Sequence, residues 1–299
     1  MPELLKRLSY VLHSIWCDTS NKGERCRRIL TFFGWQVWKR VINVPVIVAT
    51  NNGFRFIAYP DSDVSAAFLY YRVPDAKDIK FLRAHLNGGV LIDVGANVGS
   101  ISLLLADKIS RAILFEPNPV AAARARENIA LNRLPFEVHE LAVSDVQGTV
   151  ELEDAGGASA CNRTVVGFET KVRTRTVRRV ALDEFLDDQF VTSEISVIKI
   201  DVEGHENAVI HGMTRLLREK RPRLVMFEYL QRTNLSEAVA AFQAAGYKTF
   251  EVTPEGPCEV KGSVQPLQNL FACPSEIFSV LKLPLVLASP SEKRSRDVA

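Results

Sequence analysis

The chain has 299 residues with a formal net charge of +2, and 47% of its residues are hydrophobic. These values fit a globular chain with one large domain and an appendage, and the near-neutral charge argues against a nucleic-acid partner. The five cysteines are scattered without a C-x-x-C pair, which argues against a disulfide framework or zinc site and favours a cytoplasmic location.

Residues 1–75 are predicted to form an extension of helices followed by a β-hairpin, the hairpin turning at an Asn-Asn-Gly sequence. A domain at 76–280 and a disordered tail at 281–299 are expected to follow. Residues 1–40 carry eight Lys or Arg against three acidic residues. This excess fits a solvated helical face, with a weak contact to a membrane surface as the alternative. No apolar run reaches the ~18 residues of a membrane span, so no transmembrane segment is predicted.

From residue 90 onward, apolar strands alternate with amphipathic helices. Seven segments have the strand pattern, namely VLIDV, AILFE, FEVHELAV, SVIKIDV, RLVMFEY, KTFEV and NLFAC. They predict an α/β fold with a mainly parallel seven-stranded sheet and helices on both faces. The segment between the third and fourth strands is too long for a plain crossover, and its V-E-L-E and K-V-R-T-R-T alternations predict an inserted pair of β-strands.

A glycine turn, DVGANVG, follows the first of these strands. Nicotinamide dinucleotide sites use G-x-G-x-x-G, but here Asn97 replaces the second glycine and the last glycine comes one residue early. The turn fits the D-x-G-x-[GN]-x-G pattern of S-adenosylmethionine-dependent methyltransferases better, with a tight turn that binds no ligand as the alternative. Asp93 would contact the cofactor ammonium directly or through water, and the backbone at Gly95, Asn97 and Gly99 would face its polar groups.

Polar side chains also follow the second and third strands, at the same expected edge of the sheet. Glu116 closes the second strand about 20 residues beyond the turn, where a carboxylate can accept hydrogen bonds from both ribose hydroxyls. Asn118, in FEPNP, is expected to reach the ribose or the adenine edge. Asp145, in AVSD, either accepts a hydrogen bond from the adenine amino group or forms a turn before Gly148.

The segments DVGANVGSIS, FEPNP, LAVSD and VIKIDVEGHE, in this order and spacing, resemble the FkbM family of S-adenosylmethionine-dependent methyltransferases. The resemblance covers roughly residues 60–275. It implies a class I methyltransferase Rossmann-like fold, S-adenosylmethionine as cofactor, and methyl transfer to a hydroxyl of a sugar, glycan or polyketide-like secondary metabolite. Many family members have a tyrosine–glutamate pair before the helix that precedes the glycine turn. Tyr71 matches the tyrosine, but the chain departs from the family at Arg72, which stands in place of the acid.

Methyl transfer to an alcohol needs the hydroxyl oxygen aligned behind the methyl group and a side chain that takes the proton. Asp201 and Glu203 lie two residues apart at the end of the fourth strand, so both point to one side of an extended chain. With His205 in the next turn and Glu228 ending the fifth strand, they are the predicted catalytic residues. Such carboxylates can orient a hydroxyl, act as a base or bind a divalent ion, and the need for a metal stays open. Glu206 is expected to cap the following helix.

Basic side chains alternate along the Arg-rich segment 171–179. Lys171, Arg173 and Arg175 would share one side of a strand, as edge charges or as a site for an acidic acceptor. Regularly spaced stacking aromatics are absent, so no nucleic-acid surface is predicted. An NAD-dependent oxidoreductase and a non-catalytic cofactor-binding module stay as alternatives to the methyltransferase.

Overall fold

A computed structural model of the protein describes residues 2–153, 173–186, 194–262 and 264–281. The helices are α1 (Pro2–Cys17), α2 (Arg25–Val41), α3 (Asp63–Tyr70), α4 (Ala76–His85), α5 (Ser100–Leu105), α6 (Pro119–Leu131), α7 (Leu182–Phe185), α8 (Glu206–His211), α9 (Thr214–Arg218), α10 (Leu235–Ala244) and α11 (Ser275–Phe278). The strands are β1 (Val46–Ala49), β2 (Arg55–Ala58), β3 (Val90–Val94), β4 (Arg111–Phe115), β5 (Phe136–His139), β6 (Ala142–Val143), β7 (Gly148–Glu153), β8 (Thr174–Val180), β9 (Ile195–Ile200), β10 (Pro222–Tyr229), β11 (Tyr247–Thr253), β12 (Gly256–Glu259) and β13 (Gln268–Pro274). Lys171 and the tail beyond Leu281 lie outside the described residues.

The central sheet has the strand order β12-β11-β13-β10-β9-β3-β4-β5. Strands β5, β4, β3, β9 and β10 are parallel, and β13 is antiparallel to its neighbours. The predicted α/β fold with a mainly parallel sheet is thereby confirmed. An eighth strand, β12, pairs with β11 at the edge; its sequence GPCE has no strand pattern and did not predict it.

The inserted strands between β5 and β9 form a separate three-stranded sheet in the order β6-β8-β7. Its antiparallel pair, β7 and β8, is the predicted insertion. The third predicted strand, FEVHELAV, is divided: residues 136–139 stay in the central sheet, whereas 142–143 pair with β8. The chain therefore leaves the central sheet after His139, where the smaller sheet begins.

Each face of the central sheet buries its own apolar cluster. Leu91 in β3 packs into one cluster, and its neighbours Val90 and Ile92 pack into the other, as the alternation of side chains along a strand requires. The first cluster includes side chains of α1, α2, α4 and α5, and the second includes those of α8, α9 and α10. Strands β3 and β9 are buried along their whole length. Polar residues at their carboxyl ends are therefore candidates for a functional site.

Side-chain hydrogen bonds join the amino-terminal elements to one another and to α6. The buried Asn21 amide donates to the carbonyl oxygens of Ile15 and Tyr70, both at 3.0 Å. Asn128 of α6 accepts the backbone N–H of Ile57 in β2 at 2.8 Å. Helix α3, which follows the β1–β2 hairpin, buries Phe68 and Leu69 in the first apolar cluster. No helix in the described part of the chain is both long and apolar enough to cross a membrane.

Candidate active site

A cavity of about 230 Å³ lies at the carboxyl ends of β3, β4 and β9. Its walls include the glycine turn after β3, side chains of α3 and α5, and the residues that follow β9. Ligands of parallel α/β sheets bind at this edge. The cavity therefore lies where the sequence placed the cofactor and the acceptor.

The glycine turn is shaped by close contact with the end of β9. Gly95 has φ +74°, and a Cβ there would lie 1.8 Å from the Asp201 carbonyl oxygen, so only glycine fits. Asn97 has φ +50°, a left-handed conformation that asparagine tolerates better than most residues. Both residues line the cavity, whereas Gly99 lies behind the wall, where α5 begins.

Glu116 is buried and ties the end of β4 to the glycine turn. Its carboxylate accepts the backbone N–H groups of Asn97 and Asn118, each at 2.8 Å. Burial raises the pKa of Glu116 to about 7, although both hydrogen bonds lower it. Because Glu116 lines the cavity and a carboxylate oxygen has two lone pairs, it can still accept hydrogen bonds from a ligand. The Oδ1 of Asn118 accepts from the backbone N–H groups of Val120 and Ala121 and caps α6. Its contact with the ribose or the adenine edge stays a prediction.

Lys199 is a central charged group that the sequence analysis did not assign. Its ammonium donates to the Gly95 carbonyl oxygen at 2.7 Å and lies 3.5 Å from Asp93 and 3.3 Å from Asp201. Burial alone would lower the pKa of Lys199, but Asp201 and Asp93 outweigh it and the pKa is raised. A lysine inside the apolar strand VIKIDV was the available signal.

Asp93 lies beneath the glycine turn rather than in the cavity wall. It is fully buried, and its Oδ2 accepts the Ser102 hydroxyl at 2.7 Å. Its Oδ1 lies 3.5 Å from the Lys199 ammonium. The observed role of Asp93 is therefore to hold Lys199, and its contact with a cofactor ammonium stays a prediction.

Asp145 is exposed and does not line the cavity, whereas Ala142 and Val143 do. Its Oδ1 accepts the Ser144 hydroxyl at 2.9 Å and lies 3.7 Å from Arg179. The Ser144 hydrogen bond lowers the pKa of Asp145. The structure thus places Asp145 beside the insertion, and its contact with adenine stays a prediction.

Asp201 and Glu203 do not form the side-by-side pair that an extended strand would give. Strand β9 ends at Ile200, and Glu203 has φ +57°. The Glu203 carboxylate pairs with Arg232 at 2.9 Å, while Asp201 pairs with Lys199. Both acids line the cavity. Burial raises the pKa of Glu203, and the charge of Asp201 adds to the shift.

Glu228 is the acid that is most perturbed by this cluster. Burial raises its pKa to about 8, and the nearby carboxylates of Asp201 and Glu203 add to the shift. Its Oε2 is buried without a hydrogen-bond partner in the described residues. The raised pKa favours the protonated carboxyl of Glu228. The residue does not line the cavity, and its catalytic role stays a prediction.

His205 and Glu206 follow in the turn, and the structure separates their roles. His205 lines the cavity, with Nε2 3.0 Å from the Ser144 hydroxyl, and burial lowers its pKa. Glu206 is fully buried and accepts the Gly204 N–H at 2.9 Å and the Thr233 hydroxyl at 3.0 Å. Glu206 therefore fixes the turn before α8, rather than the first turn of the helix as the sequence suggested.

Asp75 and Asn269 also line the cavity, and the sequence analysis did not identify them. Asp75 has φ +50°. Although the residue as a whole is exposed, desolvation of its carboxyl raises its pKa, with Asp78 and Asp201 adding to the shift. Asn269 donates to Asp78 at 2.9 Å. Neither residue had a motif that could have identified it, because each reaches the cavity only through the packing of distant elements.

Two further site predictions concern metals and the Arg-rich strand. Among the residues that the structure describes, no cluster of three or more His, Cys, Asp or Glu is placed to hold a metal ion. Arg173 is exposed just before β8, and Arg175 is half-buried within it. Their contact with an acidic acceptor stays a prediction.

Comparison with known protein families shows which family the chain belongs to. Residues 93–249, just over half of its length, match the model of the methyltransferase FkbM domain. The chain belongs to this family. The matched range contains the glycine turn, Glu116, Lys199 and Asp201, which confirms the predicted resemblance. It also removes the NAD-dependent oxidoreductase as an alternative.

Two curated relatives and one solved structure show the range of similarity. The chain is 34% identical over 134 residues to the hexuronic acid methyltransferase AglP of Haloferax volcanii, covering 43% of this chain and 52% of AglP. It is 28% identical over 197 residues to the 2-O-methyltransferase NoeI of Sinorhizobium fredii, covering 58% and 77%. The chain thus spans about half the length of AglP. The crystal structure of the methyltransferase FkbM from Methylobacillus flagellatus KT aligns with 15% identity and a TM-score of 0.40, covering 62% of this chain and 43% of that chain.

Proposed function

We propose that the protein is an S-adenosylmethionine-dependent O-methyltransferase that methylates a hydroxyl of a sugar or glycan. The observation that carries the proposal is the cavity, which brings together the family's glycine turn, the buried acceptor Glu116 and the acid Asp201. Membership of the methyltransferase FkbM family supports the reaction class.

The residues of the cavity fit S-adenosylmethionine as the cofactor. Asn97 has a buried Oδ1 without a hydrogen-bond partner in the described residues, and Glu116 keeps free lone pairs beside it. A buried acceptor that lacks a donor costs free energy, and the ribose hydroxyls and ammonium of this cofactor are donors. When bound, the cofactor supplies an electrophilic methyl group on a sulfonium.

The protein's own groups would orient and deprotonate the acceptor. Lys199 fixes the Asp201 carboxylate by an ion pair at 3.3 Å, and Asp201 can accept the proton or the hydrogen bond of an acceptor hydroxyl. Because burial lowers its pKa, the His205 ring is neutral at pH 7 and offers a second acceptor. Apolar side chains of α3, such as Val64 and Phe68, also line the cavity and would exclude water.

A sugar hydroxyl is the acceptor class that the relatives favour. One is named a hexuronic acid methyltransferase and the other a 2-O-methyltransferase. The cavity is also lined by Asp75 and Asn269, which can respectively accept and donate hydrogen bonds with vicinal hydroxyls. A cytoplasmic location completes the proposal, supported by the free state of the four described cysteines.

Thermal unfolding with S-adenosylhomocysteine and with NAD tests the cofactor. At 100 times its dissociation constant, S-adenosylhomocysteine should stabilise the fold by ~2.7 kcal/mol. A shift with NAD alone would refute the proposal. Transfer of a labelled methyl group to uronic acids and neutral sugars then tests the reaction, because a non-catalytic module would bind the cofactor without methylating any acceptor.

A further inference from the structure

Helix α2 has an apolar face that points away from the protein. Leu30, Phe33, Val37 and Val41 are 72%, 46%, 62% and 76% exposed. They recur every third or fourth residue and therefore lie on one side of the helix. A helix on a water-facing surface normally has its polar side outward. Helix α2 instead exposes an apolar side.

The orientation of α2 is fixed by its inner side. Phe32 and Trp35 are buried in the apolar cluster below the helix. The Gln36 amide donates to the Tyr70 hydroxyl at 2.8 Å, and Arg28 donates to the Leu69 carbonyl oxygen at 3.3 Å. The outward position of the apolar side is therefore set by the packing of the protein.

The apolar surface continues into the segment after α2. Ile42, Val44 and Ile47 are exposed. The segment is held against the helix because the Ile42 backbone N–H donates to the Trp38 carbonyl oxygen, and the Trp38 indole N–H donates to the Val44 carbonyl oxygen, both at 2.9 Å. We call this surface the α2 face; it consists of Leu30, Phe33, Val37, Val41, Ile42, Val44 and Ile47.

Basic side chains border the α2 face. At 100° per residue, Arg27 and Arg40 project on opposite sides of the exposed stripe. Arg40 donates to Gln36 and pairs with no acid among the described residues. Arg27 is 3.5 Å from Glu24 but is itself largely exposed. The border is therefore positively charged and open to an anionic partner.

We propose that the α2 face docks on an anionic lipid bilayer. The apolar side chains would enter the interface while Arg27 and Arg40 contact lipid phosphates, as in membrane-surface helices. Symmetric packing of a second copy on this face is disfavoured, because it would bring the two positive borders together. Since α2 packs on α3, which lines the cavity, docking would place the cavity about one helix diameter from the bilayer.

Flotation with lipid vesicles tests the docking. The full chain should float with vesicles of phosphatidylglycerol and phosphatidylcholine, and high salt should weaken this binding. The Leu30→Glu/Val37→Glu variant should bind about tenfold more weakly or worse, because it places charge in the apolar interface. Arg27→Gln/Arg40→Gln should lower binding by about fivefold or more. Leu267→Glu, at an exposed leucine remote from α2 in sequence, should bind as the unchanged protein does.

Unchanged circular dichroism and S-adenosylhomocysteine binding would show that the variants are folded. The proposal fails if the unchanged protein does not float, or if it binds pure phosphatidylcholine vesicles equally well. It also fails if sedimentation shows a dimer that Leu30→Glu/Val37→Glu dissociates while neither protein floats. In that case a second copy of the chain covers the α2 face.

Discussion

The carboxylate of Glu116 accepts the backbone N–H of Asn97 at 2.8 Å, which joins the end of β4 to the glycine turn. Its other oxygen accepts the N–H of Asn118 at the start of α6. One buried acid therefore holds two sides of the cavity. Because burial raises its pKa to about 7, this support changes charge close to neutral pH.

Replacing Glu116 by alanine should weaken S-adenosylhomocysteine binding at least about tenfold, since hydrogen bonds to a charged group contribute roughly 1.5 to 3 kcal/mol. The structure adds a second effect: the Asn97 and Asn118 N–H groups lose their acceptor, so the melting temperature should also fall. Isothermal calorimetry measures the affinity. Glu140→Ala, which removes only an exposed partner of Arg126, is the control. Equal affinities in both variants would move the ribose contact elsewhere.

The affinity for S-adenosylhomocysteine should rise from pH 6 to pH 8, by up to roughly tenfold for one group of pKa about 7. Ribose hydroxyls donate hydrogen bonds, so they favour the ionised carboxylate of Glu116. Without ligand, the folding stability that Glu116 contributes changes with pH in the opposite direction. Since the folded pKa is raised above 4.5, the stability from this group is full below pH 4.5 and is lost as pH rises through 7. A pH-independent affinity in Glu116→Gln would confirm the assignment, and the same pH dependence in that variant would contradict it.

Lys199→Met should lower the free energy of unfolding by about 3 to 5 kcal/mol at pH 7, because it leaves Asp93 buried without its positive partner. Urea unfolding gives the value. Lys220→Met is the matched control, since it removes an exposed pair with Glu276 and should cost at most about 1 kcal/mol. If the two variants lose equal stability, the buried ion pair of Lys199 stabilises the fold no more than the exposed pair of Lys220 does.

The sequence predicted the sheet because its strands are apolar along their whole length, and it located Glu116 because that acid closes such a strand. It did not assign Lys199, although the residue lies in a quoted motif. A buried lysine makes sense only once its partners are known, and the register that places Asp93 beside Lys199 arises from the pairing of β3 with β9. That pairing joins residues about a hundred positions apart and has no local signal.

The side-by-side geometry expected for Asp201 and Glu203 is absent for a different reason. The alternation rule holds only while the strand continues, and β9 ends at Ile200. Glu206 accepts the N–H groups of Val202 and Gly204 and bends the chain, so Glu203 turns towards Arg232. Strand ends are the least predictable part of a fold from local sequence, and ligands of parallel α/β sheets bind beside them.

Gly95→Ala should destabilise the protein far more than Gly53→Ala. Both glycines have positive φ, +74° and +86°, so both variants bear the backbone strain of roughly 1 to 2 kcal/mol. Only at Gly95 would the new Cβ lie 1.8 Å from the Asp201 carbonyl oxygen, whereas nothing lies within 4 Å at Gly53. Gly95→Ala should therefore also weaken S-adenosylhomocysteine binding, because the turn must move away from β9. Equal melting temperatures for the two variants would contradict the close contact.

Asp201→Asn separates binding from chemistry. If Asp201 orients and deprotonates the acceptor hydroxyl, turnover should fall by about 10² to 10⁴ while S-adenosylhomocysteine affinity changes little. Glu203→Gln should have a smaller effect, because Glu203 is engaged by Arg232. A parallel loss of cofactor affinity in Asp201→Asn would instead make Asp201 a partner of the donor.

Two further measurements, the first on Asp201→Asn and the second on the unchanged protein, show how Asp201 acts. Its charge helps to raise the pKa of Glu228 to about 8, so that pKa should fall in the variant, which carboxyl infrared spectroscopy at several pH values would detect. Chelation by EDTA separates the two forms of catalysis: activity lost with EDTA and restored by Mg²⁺ or Mn²⁺ would make Asp201 a metal ligand. Activity that survives EDTA leaves Asp201 as the base. Normal turnover of Asp201→Asn would exclude both roles and make His205, the neutral acceptor in the same wall, the next residue to replace.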